Sequence, residues 1–341
     1  MEIEKVNSSA PSSAILLVGG FGTRLQPLTF RTPKPMLPVA SIPFTEHQIA
    51  KARAAGITEI VLATSFLAEV FEPYFGDGER FGIKISYAFE EVALGTGGAI
   101  ANATKYLKNS GPVVIFNGDV LSSHDLKAQF ELHQSQSADV TLFLTEVTDA
   151  RAFGVVEMAG DRILTFKEKM ENPPTNIINA GCYIFNREAI DSIPTDRAVS
   201  VERETFPELL SRGATLLGYI DTSYWLDIGN PAALLKATAD LISGRAHTIA
   251  FDELLAGGSY FQSEGSLIAK SADIDPTAQI ESGSVISAHA SVGAQAIISG
   301  SIVGEGSRVG SDTRLVNTFV APYFEIPSGF IASNQFFGYS E

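Results

Sequence analysis

The sequence predicts two successive architectures: an α/β domain on a mixed, mainly parallel sheet, followed by a coil of six-residue repeats. Three observations carry this prediction. Between Ser13 and about Leu241, short β-rich apolar runs alternate with helical patterns, as in βαβ units. From Ile268 onward, aliphatic residues recur every six positions. The 341 residues also exceed one ordinary domain of roughly 100 to 200 residues.

In chain order, the apolar runs from Ala14 to Val18, Glu59 to Ala63, Val113 to Asn117, Val140 to Glu146 and Ile177 to Phe185 read as buried strands bounded by turn residues. Helices fit between them. One runs from Thr45 to Ala55 and stops at Gly56; one runs from Thr96 to Leu107, with Thr96 as its cap. A third runs from Pro231, a first-turn proline, to Ser243 before Gly244. The division expected is a tail over residues 1–12, a first domain over 13–245, a linker over 246–264, and the repeat domain with its C-terminal tail over 265–341.

The repeat places Ile268, Ile274, Ile280, Ile286, Val292 and Ile298 six apart. After one slip the series resumes at Val303, Val309 and Leu315. Four residues after most of these stands a small one: Ala272, Ala278, Ser284, Ala290, Ala296, Ser307. A β-sandwich would instead alternate every second residue, with turns every 8 to 12. The hexapeptide period resembles the left-handed parallel β-helix, a triangular coil with stacked aliphatics inside. Such coils leave edges open at their ends and commonly assemble subunits, so oligomerisation is expected.

Composition narrows the function. With 45% hydrophobic and 18% charged residues the chain is globular, and its net charge of −15 argues against a nucleic-acid-binding surface. No apolar run approaches the roughly 20 residues that span a bilayer, and the first one lacks the flanks of a signal peptide. Cys182 is the only cysteine, which suits a reducing cytoplasm and rules out an intrachain disulfide.

The strongest chemical signal is Gly19-Gly20-Phe21-Gly22-Thr23-Arg24-Leu25, directly behind the first strand, where a glycine turn offers backbone N–H groups to an anion. Alone, Gly-x-Gly would be a tight turn. Here Arg24 follows at once and Lys34 stands between Pro33 and Pro35: a guanidinium fork and a stiffly held point charge, which a triphosphate requires. The spacing is neither a dinucleotide fingerprint nor a Walker A loop. Asp119, in Phe116-Asn117-Gly118-Asp119-Val120, lies just past a strand end, and Asp227 lies among apolar neighbours in Tyr224-Trp225-Leu226-Asp227-Ile228-Gly229. Each is either a metal ligand or a helix-capping acid.

Leu17 to Thr29, with Pro33-Lys34-Pro35-Met36-Leu37-Pro38-Val39, resembles the signature of the nucleotide sugar pyrophosphorylases, the sugar-1-phosphate nucleotidyltransferases. Val18 stands where that family most often has Ala. The family pairs a Rossmann-like, GT-A-like domain with, in many members, a left-handed β-helix, so the resemblance covers nearly the whole chain.

The resemblance implies an enzyme acting on a nucleoside triphosphate and a sugar 1-phosphate with Mg2+. It assigns nucleotide binding to Leu17, Gly19, Gly20, Gly22, Thr23, Arg24, Glu90, Gly95, Thr96 and Asp119. It gives sugar-phosphate binding to Gly154, Glu168, Lys169 and Asn179, metal binding to Asp119 and Asp227, and catalysis to Arg24, Lys34, Lys169 and Asp119. Without the resemblance, Glu168-Lys169 would read as a solvated strand end and Gly154 as a close-packing position.

The base-binding segment, Glu90 to Ala99 with Leu94-Gly95-Thr96-Gly97-Gly98-Ala99, is more similar to the guanylyltransferases acting on mannose 1-phosphate than to thymidylyl or uridylyl enzymes, with Gly97 replacing the usual Ala. Thymidylyl, uridylyl or adenylyl transfer to glucose 1-phosphate, or a catalytically silent relative that binds a nucleotide sugar, stand as alternatives. A cytoplasmic homo-oligomer, dimer or tetramer, assembled through the coil is implied, without nucleic-acid or membrane partners. None of the five histidines has zinc spacing. His289, in the repeats, reads as an exposed turn residue, with an acyltransferase histidine as the alternative.

Overall fold

The computed structural model describes residues 11–65 and 67–339. Residues 1–10 of the expected tail lie outside this range. Contacts group the chain into two compact units. One takes in the residues up to Gly19, Ala52–Val120 and His124–Trp225; the other takes in Gly20–Lys51, Leu121–Ser123 and the chain from Leu226 onward. Among the described residues no helix is long and apolar enough to cross a membrane.

The first unit is built on a nine-stranded sheet in the order Lys84–Phe89, Glu59–Thr64, Ser13–Leu17, Val113–Asn117, Ile177–Phe185, Val140–Glu146, Leu216–Ile220, Arg162–Glu168, Gly154–Ala159. The first four neighbours run parallel. Ile177–Phe185 is antiparallel to both of its neighbours, so the sheet is mixed. Ala14, Ile15 and Leu16 are fully buried, as expected of a central strand covered on both faces.

The five expected strands are present within a residue of their expected limits. Lys84–Phe89 and the Gly154–Ala159/Arg162–Glu168 hairpin mix polar with apolar residues and have no continuous apolar run to reveal them, while the short run Leu216–Ile220 is broken by Gly218. Polar side chains stand at some of their open positions, among them Lys84, Glu157, Arg162 and Lys167, and Phe89, Leu164 and Ile220 are exposed apolar ones. The second expected helix is Gly95–Thr104; it starts one residue early, so Thr96 lies inside the first turn and is not its cap.

In the second unit the coil closes into three ladders of parallel strands, consistent with a left-handed β-helix. Ile268 stacks on Ile286, Val303, Val320 and Phe337; Ile274 on Val292, Val309 and Ile326; Ile280 on Ile298, Leu315 and Ala332. The slip seen once in the sequence recurs. Steps of five at Ile298 to Val303, Leu315 to Val320 and Ala332 to Phe337 shorten each later coil by one residue. The small buried residues are also fasteners: the hydroxyls of Ser284, Ser307 and Thr313 donate to the carbonyls of Ile298, Ala321 and Pro327, each fourteen residues on. The stretch expected as a linker carries the Ile249–Ala256 helix, capped by Thr248, and the strand Tyr260–Ser263.

His47 sits on the Phe44–Ala54 helix of this unit. Its Nε2–H donates to the Val39 carbonyl at 3.0 Å, so Nδ1, 2.8 Å from the Thr248 hydroxyl, accepts. Burial lowers its pKa from 6.5 to about 4. Because the folded value is depressed, this stabilisation is complete above pH 6.5 and is lost as pH falls towards 4. Urea unfolding should show about 2 kcal/mol less stability at pH 5 than at pH 7 from this ring. A His47→Gln chain that keeps the full dependence would overturn the assignment.

Candidate active site

In the second unit the glycine turn leads into a single 3-10 turn, Thr23–Leu25, anchored by the buried side chain of Leu25. Gly22 adopts φ 57°, and a side chain there would sit 3.0 Å from Cβ of Lys34 and 3.1 Å from the Thr29 methyl. The stem of Lys34 thus packs against the turn, while the Thr29 hydroxyl donates to the Gly22 carbonyl at 3.0 Å. Pro33 precedes a second 3-10 turn, Lys34–Met36, closed by the Met36 amide on the Pro33 carbonyl at 2.8 Å. The Thr45 hydroxyl fastens the Pro35 carbonyl at 2.9 Å. Lys34 is therefore presented from backbone with little freedom, as its flanking prolines imply.

Arg24 and Asp227 meet over Gly229. A Cβ on that glycine would lie 3.1 and 3.2 Å from the two guanidinium nitrogens and 3.2 Å from Oδ2 of Asp227. The helix Pro231–Ile242 is capped by Asn230, which accepts from the Ala233 amide, so Asp227 is not its capping acid.

The first unit holds the other residues. Leu17 closes the central strand, and its carbonyl accepts from the Gly118 amide at 3.1 Å, which fixes the turn that carries half-buried Asp119. The following helix, Leu126–Ser135, takes its cap from Asp125, so Asp119 does not serve as one. Gly19 is exposed, and a Cβ on it would meet the Ser65 hydroxyl at 2.7 Å. Gly20, at φ 127°, opens the second unit's share of the turn.

Beside the end of Val113–Asn117, the register of Ile177–Phe185 shifts between Asn179 and Tyr183. Asn179 donates from Nδ2 to the Tyr183 hydroxyl at 2.8 Å and accepts from the Gly181 amide, and Asn117 reaches the same hydroxyl at 3.4 Å. Burial raises the Tyr183 pKa far above the ordinary tyrosine value, so the ring is neutral and fixes both amides.

Glu168 ends its strand with a half-buried carboxylate 3.7 Å from Nζ of Lys169. Lys169 turns outward at φ 49°, an uncommon conformation for a side-chain-bearing residue, held by its amide on the Phe153 carbonyl at 3.1 Å. A side chain on Gly154 would lie 2.7 Å from Oε2 of Glu168. Burial, and then the charge of Glu202, raise the Glu168 pKa; Lys169 and Arg203 oppose the rise.

Glu202 comes from a single π-helical turn, Val201–Thr205, a form often found at functional sites. It accepts from the Thr96 hydroxyl at 2.9 Å and the Ser200 hydroxyl at 3.0 Å, while Thr96 accepts from the Val201 amide. Gly95 adopts φ 70° against the Val199 carbonyl. Oε2 of Glu90 accepts from the Leu94 amide at 3.1 Å, and burial raises the Glu90 pKa.

The sequence reading missed Glu202, Tyr183 and Asn117. Only the apolar context of Tyr183 and the Asn-Gly-Asp run at Asn117 hinted at them. His289 is an exposed corner of the coil at φ 57°, with its amide on the Ser271 hydroxyl. Among the described residues no group of three or more His, Cys, Asp or Glu gathers as a metal site.

A glycine turn carrying Arg24 and Lys34, set behind the first parallel strand of an α/β sheet and followed by a β-helix, defines a nucleotide-handling transferase. The nucleotidyl transferase family model matches residues 13–244. The chain is 46% identical over 285 residues to a mannose-1-phosphate guanylyltransferase of Mycobacterium tuberculosis (80% of this chain, 79% of that protein). It is 36% identical over 278 residues to mannose-1-phosphate guanylyltransferase 1 of Arabidopsis thaliana (80% and 74%). A crystal structure of HddC from Yersinia pseudotuberculosis complexed with GMP-PN superposes with a TM-score of 0.56 at 28% identity (67% and 98%). The chain belongs to the nucleotidyl transferase family, among the nucleotide sugar pyrophosphorylases, and is a sugar-1-phosphate nucleotidyltransferase.

Proposed function

We propose that the protein joins GTP and mannose 1-phosphate to give GDP-mannose and pyrophosphate. The observation that carries this pair is the 46% identity to a mannose-1-phosphate guanylyltransferase. A phosphate oxygen of the sugar phosphate attacks the α-phosphorus of GTP; that P–O bond forms as the bond to the bridging β-oxygen breaks, and pyrophosphate leaves. No protein nucleophile is needed. The Gly19 to Gly22 backbone, Thr23, Arg24 and Lys34 hold the triphosphate, and Lys169 steers the attacking phosphate. Leu17, Glu90, Gly95 and Thr96 frame the nucleoside, while Gly154, Glu168 and Asn179 take the sugar.

Asp119 and Asp227 suit magnesium, since both donors are carboxylates and neither is used as a helix cap. When bound there, the ion would offset charge on the phosphates. We also place the enzyme in the cytoplasm, as a homo-oligomer joined through the β-helix.

The test is pyrophosphate release with magnesium across GTP, dTTP, UTP, CTP and ATP against mannose 1-phosphate and glucose 1-phosphate. A dominant GTP and mannose 1-phosphate signal is expected; dominance of another pair would refute the specificity and leave the family standing. A silent relative would bind nucleotide sugar without turnover, but Arg24, Lys34, Asp119 and Asp227 are all present.

Glu168 should also shape the pH profile. Its carboxylate accepts charge-assisted bonds from sugar hydroxyls when ionised, and its raised pKa means these weaken at a higher pH than for an ordinary glutamate. The acid limb of kcat/KM for sugar phosphate should move down in a Glu202→Gln variant, which removes the second cause of the rise. An unmoved limb would show that Glu168 does not govern it.

A further inference from the structure

Gly338 and Tyr339 touch the loop that carries the nucleotide-binding turn. The backbone at Gly338 lies against Pro27–Leu28, so close that a side chain on Gly338 would sit 2.8 Å from the Pro27 carbonyl oxygen and 3.2 Å from the Leu28 amide. Beside it, the guanidinium of Arg31 lies over the ring of Tyr339, 4.9 Å from its centre. Tyr339 is fastened in turn to the last coils, donating its hydroxyl to the Pro322 carbonyl at 2.8 Å, and the Ala321 amide donates to the Phe337 carbonyl at 2.8 Å.

From Pro27–Leu28 the contacts run inward. The Leu28 amide bonds the Leu25 carbonyl at 2.9 Å, and the Leu25 amide bonds the Gly22 carbonyl at 2.9 Å. Thr29, next in the chain, donates to the same Gly22 carbonyl. Gly22 is the residue on which Lys34 packs.

We propose that the Gly338–Tyr339 tail is a positioning element for nucleotide binding, bracing the 22–31 loop so that its amides, Arg24 and Lys34 are held ready for the triphosphate. This rests on the proposed nucleotidyl transfer. A loop left unbraced must be ordered when the ligand binds, which weakens affinity for that ligand alone. The brace should therefore separate the two substrates, which a general loss of stability would not do.

The test is Tyr339→Ala in the full chain, with Tyr339→Phe as the conservative variant and Phe261→Ala as a control on an exposed ring at the far end of the same ladder of strands. Tyr339→Ala should raise KM for GTP about five- to tenfold, with KM for mannose 1-phosphate within about twofold and Tm nearly unchanged. Amide exchange over residues 22–30 should quicken at least severalfold. Tyr339→Phe, which keeps the ring under Arg31, should recover most of the GTP affinity, and Phe261→Ala should match wild type. Unchanged exchange in Tyr339→Ala, or both KM values rising together with a lower Tm, would overturn the brace. If wild-type protein turns over no substrate pair, the functional reading fails, while the exchange result still decides whether the tail braces the loop.

Discussion

Replacing Asp119 with asparagine should lower kcat by about three orders of magnitude and leave thermal unfolding almost unchanged. The substitution keeps shape and removes charge. The segment is fastened by the Gly118 amide on the Leu17 carbonyl, among other contacts, and asparagine leaves that backbone bond intact. The next helix has its own cap in Asp125. On the proposed role, the expected loss falls on the chemistry: a carboxylate proposed to hold magnesium at the triphosphate is replaced by a neutral amide of the same shape. Pyrophosphate release and a melting curve check this together. More than a tenth of wild-type turnover in Asp119→Asn would sink the assignment.

Gly95→Val should cost about a hundredfold in kcat/KM for the nucleoside triphosphate, with some loss of stability as well. Two causes act on one atom. A Cβ at this position would lie 2.5 Å from the Val199 carbonyl oxygen, and φ 70° is a conformation that a β-branched residue strongly resists. Relief would require parting Leu94 and Gly97 from Val199, which now exchange two backbone bonds of 2.8 Å. Those bonds hold the start of the Gly95–Thr104 helix, the segment assigned to the base. Titration calorimetry with GTP should show the weakened binding; wild-type affinity would mean that the base does not depend on this turn.

What was legible in the sequence is what lies close together along the chain. The glycine turn with Arg24, the proline-flanked Lys34 and the six-residue period are local patterns, and each is found in the structure where its spacing put it. The contacts that were not legible join distant residues. Thr96 finds Glu202 across 106 positions, and Asn117 finds Tyr183 across 66. No local pattern announces such a pair. Capping was legible only as a competition: Asp119, Asp227 and Thr96 were all acceptable caps by residue type, but Asp125 and Asn230 took two of the three roles and the third helix began a residue early. The repeated five-residue step was likewise visible once and not recognised as recurring.

That step makes the β-helix a ruler. Every later coil consumes 17 residues, as Val303, Val320 and Phe337 show, and advances the stack by one strand spacing of about 4.8 Å. The reach of Tyr339 is therefore counted in whole coils. Adding or removing one would keep every aliphatic facing inward, yet carry Tyr339 about 4.8 Å along the stack, away from Arg31. On the proposed brace, a change harmless to packing would thus detune the nucleotide loop, and the coil number would be constrained by that loop as well as by the stacked core.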